Sequence, residues 1–315
     1  MTPRNRSVSA QNPGTLAAPA VTVVLWASAF PAIRIGLDGL GVVGLSVLRM
    51  VVASVALALV APLLKVRLPR RRDLPLIALC GGAGMSAYQL LLNWGELHVP
   101  AGTASLLISI APVFSVLLAI AFLGERVNRN TVLGSAVAIT GAAVVALAGG
   151  SARLSASALV VLAAAVVQGV YHFASKPLLR HRTGLEVACY AIWAGTLFLL
   201  PLAPLAAHGL ATAPAPAVAS AVYLGLLPSA LGFVTWGYAV ARVPVAKSTA
   251  ALYLVSPVAL LVAFVWLGET PGPVELLGGL VSITGVVLIN RRRPAATPPA
   301  RAQVDARPAP AVTRR

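Results

Sequence analysis

An apolar stretch between residues 74 and 97 carries Gln89, Asn93 and Glu96, spaced i, i+4 and i+7, with Trp94 beside them. On a helix that spacing lines the polar side chains along one face. A second apolar stretch places Gln168, Tyr171, His172 and Ser175 on one face, and a third carries Thr235 and Tyr238. Thr249, Tyr253 and Ser256 form a further set, and Ser105 and Ser109 lead to Pro112. Amides, phenols, an imidazole and indoles such as Trp26 hold an amphipathic solute by hydrogen bonds and ring contact. A Gly-rich phosphate loop, a nucleophile elbow and a His/Cys cluster are all missing, so no catalytic residue, metal ligand or cofactor is assigned. The competing reading is that these groups hydrogen-bond helix to helix, each contributing on average ~0.6 kcal/mol. For a lone Ser or Thr that reading is preferred, because a hydroxyl can bond its own backbone.

The charges inside apolar stretches sharpen the choice. Arg49 lies too deep to reach water easily, and burial in lipid costs at least ~2.5 kcal/mol, so it needs a partner. Backbone carbonyls, Glu96 and an anionic group of a substrate are the options, and bracing of helices is the favoured role. Arg34 and Lys176 lie nearer the ends of their stretches, where a long side chain can extend to water. Glu96 and His172 are the titratable groups available for proton coupling, and imidazole changes charge near neutral pH.

The elements that must hold these residues are membrane spans. The chain has 315 residues, 58% hydrophobic and only 10% charged, against about 25% charged in an ordinary soluble domain. Cys80 and Cys189 sit in apolar runs and form no metal-type or disulfide pattern. The net charge of +16 would point to nucleic acid in a soluble protein, but here the cations flank apolar stretches, as in membrane anchoring. Ten stretches of about 20 residues can each cross a hydrocarbon core of ~30 Å. They run near 16–37, 41–64, 74–97, 101–123, 131–149, 155–178, 185–207, 217–240, 246–267 and 273–290. Ala27-Ser28-Ala29 imitates a signal cleavage site, yet the apolar run continues to Leu37, so the first stretch is read as a retained span. Residues 1–15 and the Pro-, Ala- and Arg-rich 291–315 read as disordered ends.

The two halves repeat one another. Leu123-Gly124-Glu125, Leu133-Gly134, Val137 and Ile139-Thr140-Gly141 recur 144 residues later as Leu267-Gly268-Glu269, Leu277-Gly278, Val281 and Ile283-Thr284-Gly285. Val99-Pro100 and Pro112 return as Val243-Pro244 and Pro257. The units are 16–149 and 155–290, five spans each. With an odd number of spans the second copy must enter from the opposite side. Counted that way, 20 of the 24 cations fall in cytoplasmic segments and only Arg153 falls in an outer loop. This is a strong positive-inside signal, with both termini in the cytoplasm. Matching helix breaks at Pro112 and Pro257 point to a central site, as paired interruptions do in transporters built from inverted repeats. Kinks that only shape packing are the alternative. Glu125 and Glu269, at span ends, read as structural. The glycine pairs Gly134/Gly141 and Gly278/Gly285 permit close helix contact.

Trp26-Ala27-Ser28-Ala29-Phe30 with Arg34, then Arg49, resembles the opening of an EamA domain in the drug/metabolite transporter superfamily. The run from Ala101-Gly102-Thr103-Ala104-Ser105 through Pro112 to Gly124-Glu125, with its echo from Pro244 to Gly285, extends the resemblance over about residues 16–290. It implies an all-α polytopic protein of ten transmembrane helices in two inverted five-helix repeats. Further, it implies secondary transport of a small metabolite, with export of an amino acid or related compound the preferred direction. The first spans of the two copies differ, since Trp26 aligns with Gln168, so the surface facing a ligand is not symmetric. A polytopic membrane enzyme is the weaker reading because the eight acidic residues do not cluster. A scaffold or lipid-moving protein is the third. The partners implied are a small-molecule substrate and the lipid bilayer, with proton coupling as an option and no nucleic acid. No ATP-binding motif is present, so transport runs by exchange, an ion gradient or passive flow.

Overall fold

In a computed structural model of the chain, residues 13–123, 129–147, 156–242 and 254–290 are described. All secondary structure among them is helical. Backbone N–H and C=O groups find no water in a bilayer, so a spanning segment must satisfy them internally, and a helix does so. Large apolar side chains cover the outside: Leu63, Leu205, Phe122 and Leu59 are each more than 70% exposed. Such a surface fits lipid rather than water. The molecule is an all-α polytopic membrane protein.

In chain order the helices are α1 (Pro13–Ala27), α2 (Ala29–Val60), α3 (Leu74–Leu79), α4 (Tyr88–Glu96), α5 (Ala101–Ile108), α6 (Ala111–Leu123) and α7 (Arg129–Leu147). The second half continues with α8 (Ala156–Leu179), α9 (Gly184–Leu199), α10 (Ala203–Thr212), α11 (Ala215–Leu224), α12 (Gly232–Arg242), α13 (Val255–Leu267) and α14 (Pro273–Asn290). Six helical stretches among the described residues are long and apolar enough to cross a membrane: Ala17–Val60, Arg71–Glu96, Ala101–Phe122, Ala156–Leu179, Gly184–Thr212 and Ala215–Tyr238. The first of these doubles back. Gly39 at φ 113 and Gly41 at φ 63 turn the chain inside α2, a backbone region that side chains rarely tolerate. Shorter apolar helices cover Val132–Val145, Val255–Leu267 and Pro273–Leu288.

Several spans are less regular than the sequence reading supposed. The first breaks at Ser28, between α1 and α2. Between α3 and α4 the chain winds as a π-helix over Cys80–Ala87, and between α11 and α12 it does so again over Gly225–Leu231. The two π segments occupy equivalent places in the two halves. α5 ends at Ile108, four residues before Pro112, the residue whose carbonyl a proline leaves without its helical partner. Pro257 holds the corresponding place, in the first turn of α13 as Pro112 is in the first turn of α6, but it is exposed.

α7 and α14 pack closely. A Cβ on Gly141 would lie 2.6 Å from the Gly278 carbonyl oxygen, and one on Gly285 would lie 2.6 Å from that of Gly134. The contacts exchange when each residue is replaced by its copy 144 positions away. As the α7 residue number falls from 145 through 141 to 138, its neighbour on α14 rises from 278 through 282 to 285. The two helices therefore run antiparallel.

Candidate substrate cavity

A cavity of about 120 Å³ lies among α1, α2, α4, α5, α6, α8, α12, α13 and both π segments. That is room for several waters or a small solute, since one water needs roughly 10–15 Å³ by this measure. Its apolar wall is aromatic at one end. Trp26 packs against Phe233 with ring centroids 5.2 Å apart, and Phe30 and Met85 also line the space. Trp26 is held in place because its indole Nε1 donates to the Pro228 carbonyl at 3.1 Å, a carbonyl inside the second π segment.

The polar wall is built around Arg49, which is 5% exposed. Its Nε donates to Ser229 Oγ at 2.9 Å and its Nη1 to Gln89 Oε1 at 3.0 Å. Ser229 belongs to the second π segment and Gln89 follows the first, so the guanidinium joins the two interruptions. Among the described residues no carboxylate lies within ion-pair distance of it. A buried cation thus faces the cavity with only neutral hydrogen-bond partners among the described residues. Gln168 is also on the wall, and its Oε1 is buried with no hydrogen-bond partner, a free acceptor.

Of the residues expected at the site, Trp26, Gln89, Ser109, Gln168 and His172 line this cavity, as do Pro112 and Arg49. Four others are corrected. Asn93 is fully buried behind the wall, where its Nδ2 donates to Ser46 Oγ at 2.8 Å. Trp94, on the opposite side of α4, is exposed and packs on His98 at 4.8 Å. Tyr238 is 41% exposed and off the wall. Tyr171 is buried and lines a smaller cavity of about 40 Å³, which shares His172 and Phe233 with the main one. Tyr253 lies outside the described residues.

Glu96 is off the wall too, fully buried, with neither carboxyl oxygen hydrogen-bonded. Arg34 donates to the Glu96 backbone carbonyl, and its Nε stands 4.0 Å from Glu269. Lys176 is exposed and Pro257 is not part of the wall. Tyr88, Phe30 and Phe233 line the cavity without having been singled out as ligand-facing. Tyr88 and Leu92 flank Gln89 on one helical face, a spacing already present in the sequence. Ser105 and Ser256, on the polar stripes, line it as well, joined by a bond from Ser256 Oγ to the Ser105 carbonyl at 2.9 Å.

A protein of Streptantibioticus cattleyicolor, described as a probable terminal-alkyne amino-acid exporter, is 72% identical over 283 residues, covering 88% of this chain and 95% of that one. An uncharacterised transporter of Bacillus subtilis is 37% identical, covering 83% and 86%. A probable amino-acid metabolite efflux pump of Escherichia coli is 27% identical, covering 85% and 92%. A crystal structure with 18% identity superposes with a TM-score of 0.62 over 89% of this chain and 96% of its own, a likeness of fold. Residues 13–147 and 155–291 each match the EamA-like transporter family. With both halves matched and the relatives covered nearly end to end, the chain belongs to the EamA-like transporter family and is a transporter, not an enzyme.

Proposed function

We propose that the chain exports a zwitterionic, amphipathic amino acid across the cytoplasmic membrane by alternating access. In this reading two inverted repeats, residues 16–149 and 155–290, supply five transmembrane helices each, and both termini are cytoplasmic. The antiparallel, mirrored contact of α7 and α14 supports inversion, and the one-sided distribution of cations supports the orientation. The relatives described as amino-acid exporters support the substrate class.

The observation that carries the proposal is Arg49: a buried cation on the cavity wall whose hydrogen bonds all go to neutral groups. A planar guanidinium takes a carboxylate through two parallel bonds. That moves Arg49 from bracing alone to bracing and substrate contact. The unpartnered Gln168 Oε1 suits an ammonium group, and Trp26, Phe30 and Phe233 suit a short apolar side chain such as an alkyne. His172, Ser109 and Pro112 complete the wall.

The test uses purified protein in liposomes with propargylglycine, propargylamine and pent-4-ynoate. Uptake of the amino acid, with little inhibition by the amine, is expected; equal inhibition by the amine would overturn carboxylate recognition. Tags at Arg71, Asn128 and Arg315 should report cytoplasm and tags at Asp38 and Gly209 the outside. Asp38 and Arg71 on one side would overturn the topology.

A further inference from the structure

Among the described residues, Glu96 has a buried carboxyl to which substrate binding gives no role. It is 0% exposed, and neither of its oxygens has a hydrogen-bond partner. It closes α4, two turns beyond Gln89 and one beyond Leu92, which both line the cavity. A carboxylate at that point would have no hydrogen bond and would face the negative end of its own helix. The protonated acid is the form that this packing accepts.

Its charged neighbours are few and specific. Arg34, Glu269 and Arg49 interact with it electrostatically, and Tyr88 on its own helix does so as well. Arg34 already donates to the Glu96 backbone carbonyl while its Nε stands 4.0 Å from Glu269. α8 meets this turn with Val161 and the Ser157 carbonyl against Gly95, neither of which titrates, and α5 carries no titratable side chain. His98, two residues on, turns away onto Trp94. Arg34 thus touches the Glu269 carboxylate in the second half and the Glu96 backbone in the first, and its charge acts on the Glu96 carboxyl.

Building on the export reading above, we propose that Glu96 carries a proton through the transport cycle and that its ionisation moves Arg34 from Glu269 to Glu96. With Glu96 protonated, Arg34 faces Glu269 and ties the halves together, as here. When that face loosens and water enters, the Glu96 O–H bond breaks and the proton passes to water. The new carboxylate then takes Arg34 as its counter-ion, and the Arg34–Glu269 contact is lost. Protonation reverses the exchange. Transport is then coupled to the proton gradient through a group next to the cavity wall, and not through His172 on it.

Two measurements on the purified full chain decide this. Infrared difference spectra between about pH 5 and about pH 8 should show a protonated-carboxyl band that disappears with pH and is missing in Glu96→Gln. In liposomes, wild-type propargylglycine uptake should change at least about fivefold over the same range, the low end of ordinary coupling between sites. Glu96→Gln, which imitates the protonated acid, should flatten that response. A spectrum in which no titrating band depends on Glu96 overturns the proposal, as does an undiminished pH response in Glu96→Gln. Should Glu96→Gln fail to fold, Glu96→Asp must keep a titrating band and move the midpoint of the pH response; an unmoved midpoint overturns the proposal. Absence of propargylglycine uptake by wild-type protein would count against the export reading, while the infrared titration would still decide Glu96.

Discussion

Two places in the molecule pair a piece of the first half with its counterpart in the second, and they do so in opposite ways. Where α7 meets α14 the sequence is duplicated: Gly134 and Gly141 answer Gly278 and Gly285, and the contacts exchange one for one. In the π segments only the winding is duplicated. Cys80–Ala87 reads CGGAGMSA, with three glycines and no proline, whereas Gly225–Leu231 reads GLLPSAL, with Pro228 at its centre. Helix against helix, the constraint is close approach, and any side chain larger than hydrogen violates it on both copies alike. Around the cavity the constraint is only that the helix widen; glycine achieves this by flexibility and proline by removing a donor. The side chains there are free to differ, and the residues placed on the wall do: Trp26 in one half, Gln168 in the other.

The largest effect should come from the duplicated contact. Gly141→Leu drives a side chain into the α14 backbone at Gly278 and Ser282. Overpacking against backbone costs about 3 kcal/mol, and Gly285→Leu should cost the same, because it meets Gly134 and Ala138 in the mirrored way. Thermal unfolding in detergent checks both. A large loss in one variant and none in the other would break the symmetry of the pair.

Arg49→Ala is next, and it tests the asymmetric region. Hydrogen bonds to a charged group contribute about 2 kcal/mol, so the apparent affinity for an α-amino acid should fall roughly 30-fold. Arg49→Lys keeps the charge but loses the planar fork; it should retain most of the stability while still binding poorly. A variant that loses stability and transport in step, with Lys restoring both, would make Arg49 a brace alone.

Periodicity and charge were enough to read the membrane class, the duplication and the glycine contact, because each depends on residue type at fixed spacing. The π segments were not legible. CGGAGMSA sits inside an apolar run that looks like any other helix, and Pro228 has no matching proline in the other half to mark it. The same limit applied to direction. Gln89, Asn93 and Glu96 share a polar stripe, but a stripe is wide enough for Gln89 to reach the cavity while Asn93 faces Ser46 on α2. Within α4, Asn93 is offset from Gln89 by about 40° around the axis and one turn along it, enough for the two side chains to meet different neighbours. Arg49 was recognised as needing a partner, yet its acceptors, Ser229 and Gln89, lie 180 and 40 residues away, and only the fold brings them together.

A smaller effect tests the link between the second π segment and the aromatic wall. Trp26→Phe keeps a ring against Phe233 but removes the Nε1–H that reaches the Pro228 carbonyl. Losing one neutral hydrogen bond costs about 1 kcal/mol, so uptake should fall roughly fivefold with little change in thermal stability. An unchanged rate would detach the indole nitrogen from the shape of the site.

Asn93→Ala should be the mildest substitution and the one that best separates wall from brace. Its Nδ2 donates to Ser46 Oγ at 2.8 Å, so the bond ties α4 to α2 within the first half, while its Oδ1 is buried with no partner. A polar bond between membrane helices contributes on average ~0.6 kcal/mol. Removing Asn93 also removes that unsatisfied oxygen, which offsets part of the loss. Ser46 keeps its own bond to the Val42 carbonyl at 2.7 Å, so no new unpaired donor is created. The expected outcome is a shift of thermal unfolding near the limit of detection and a transport rate within about twofold of wild type, in contrast to Gln89→Ala, which strips an acceptor from Arg49 on the cavity wall. Near-complete loss of transport in Asn93→Ala, with normal unfolding, would mean that the stripe on α4 rotates toward the cavity during transport and that Asn93 touches the solute in another conformation.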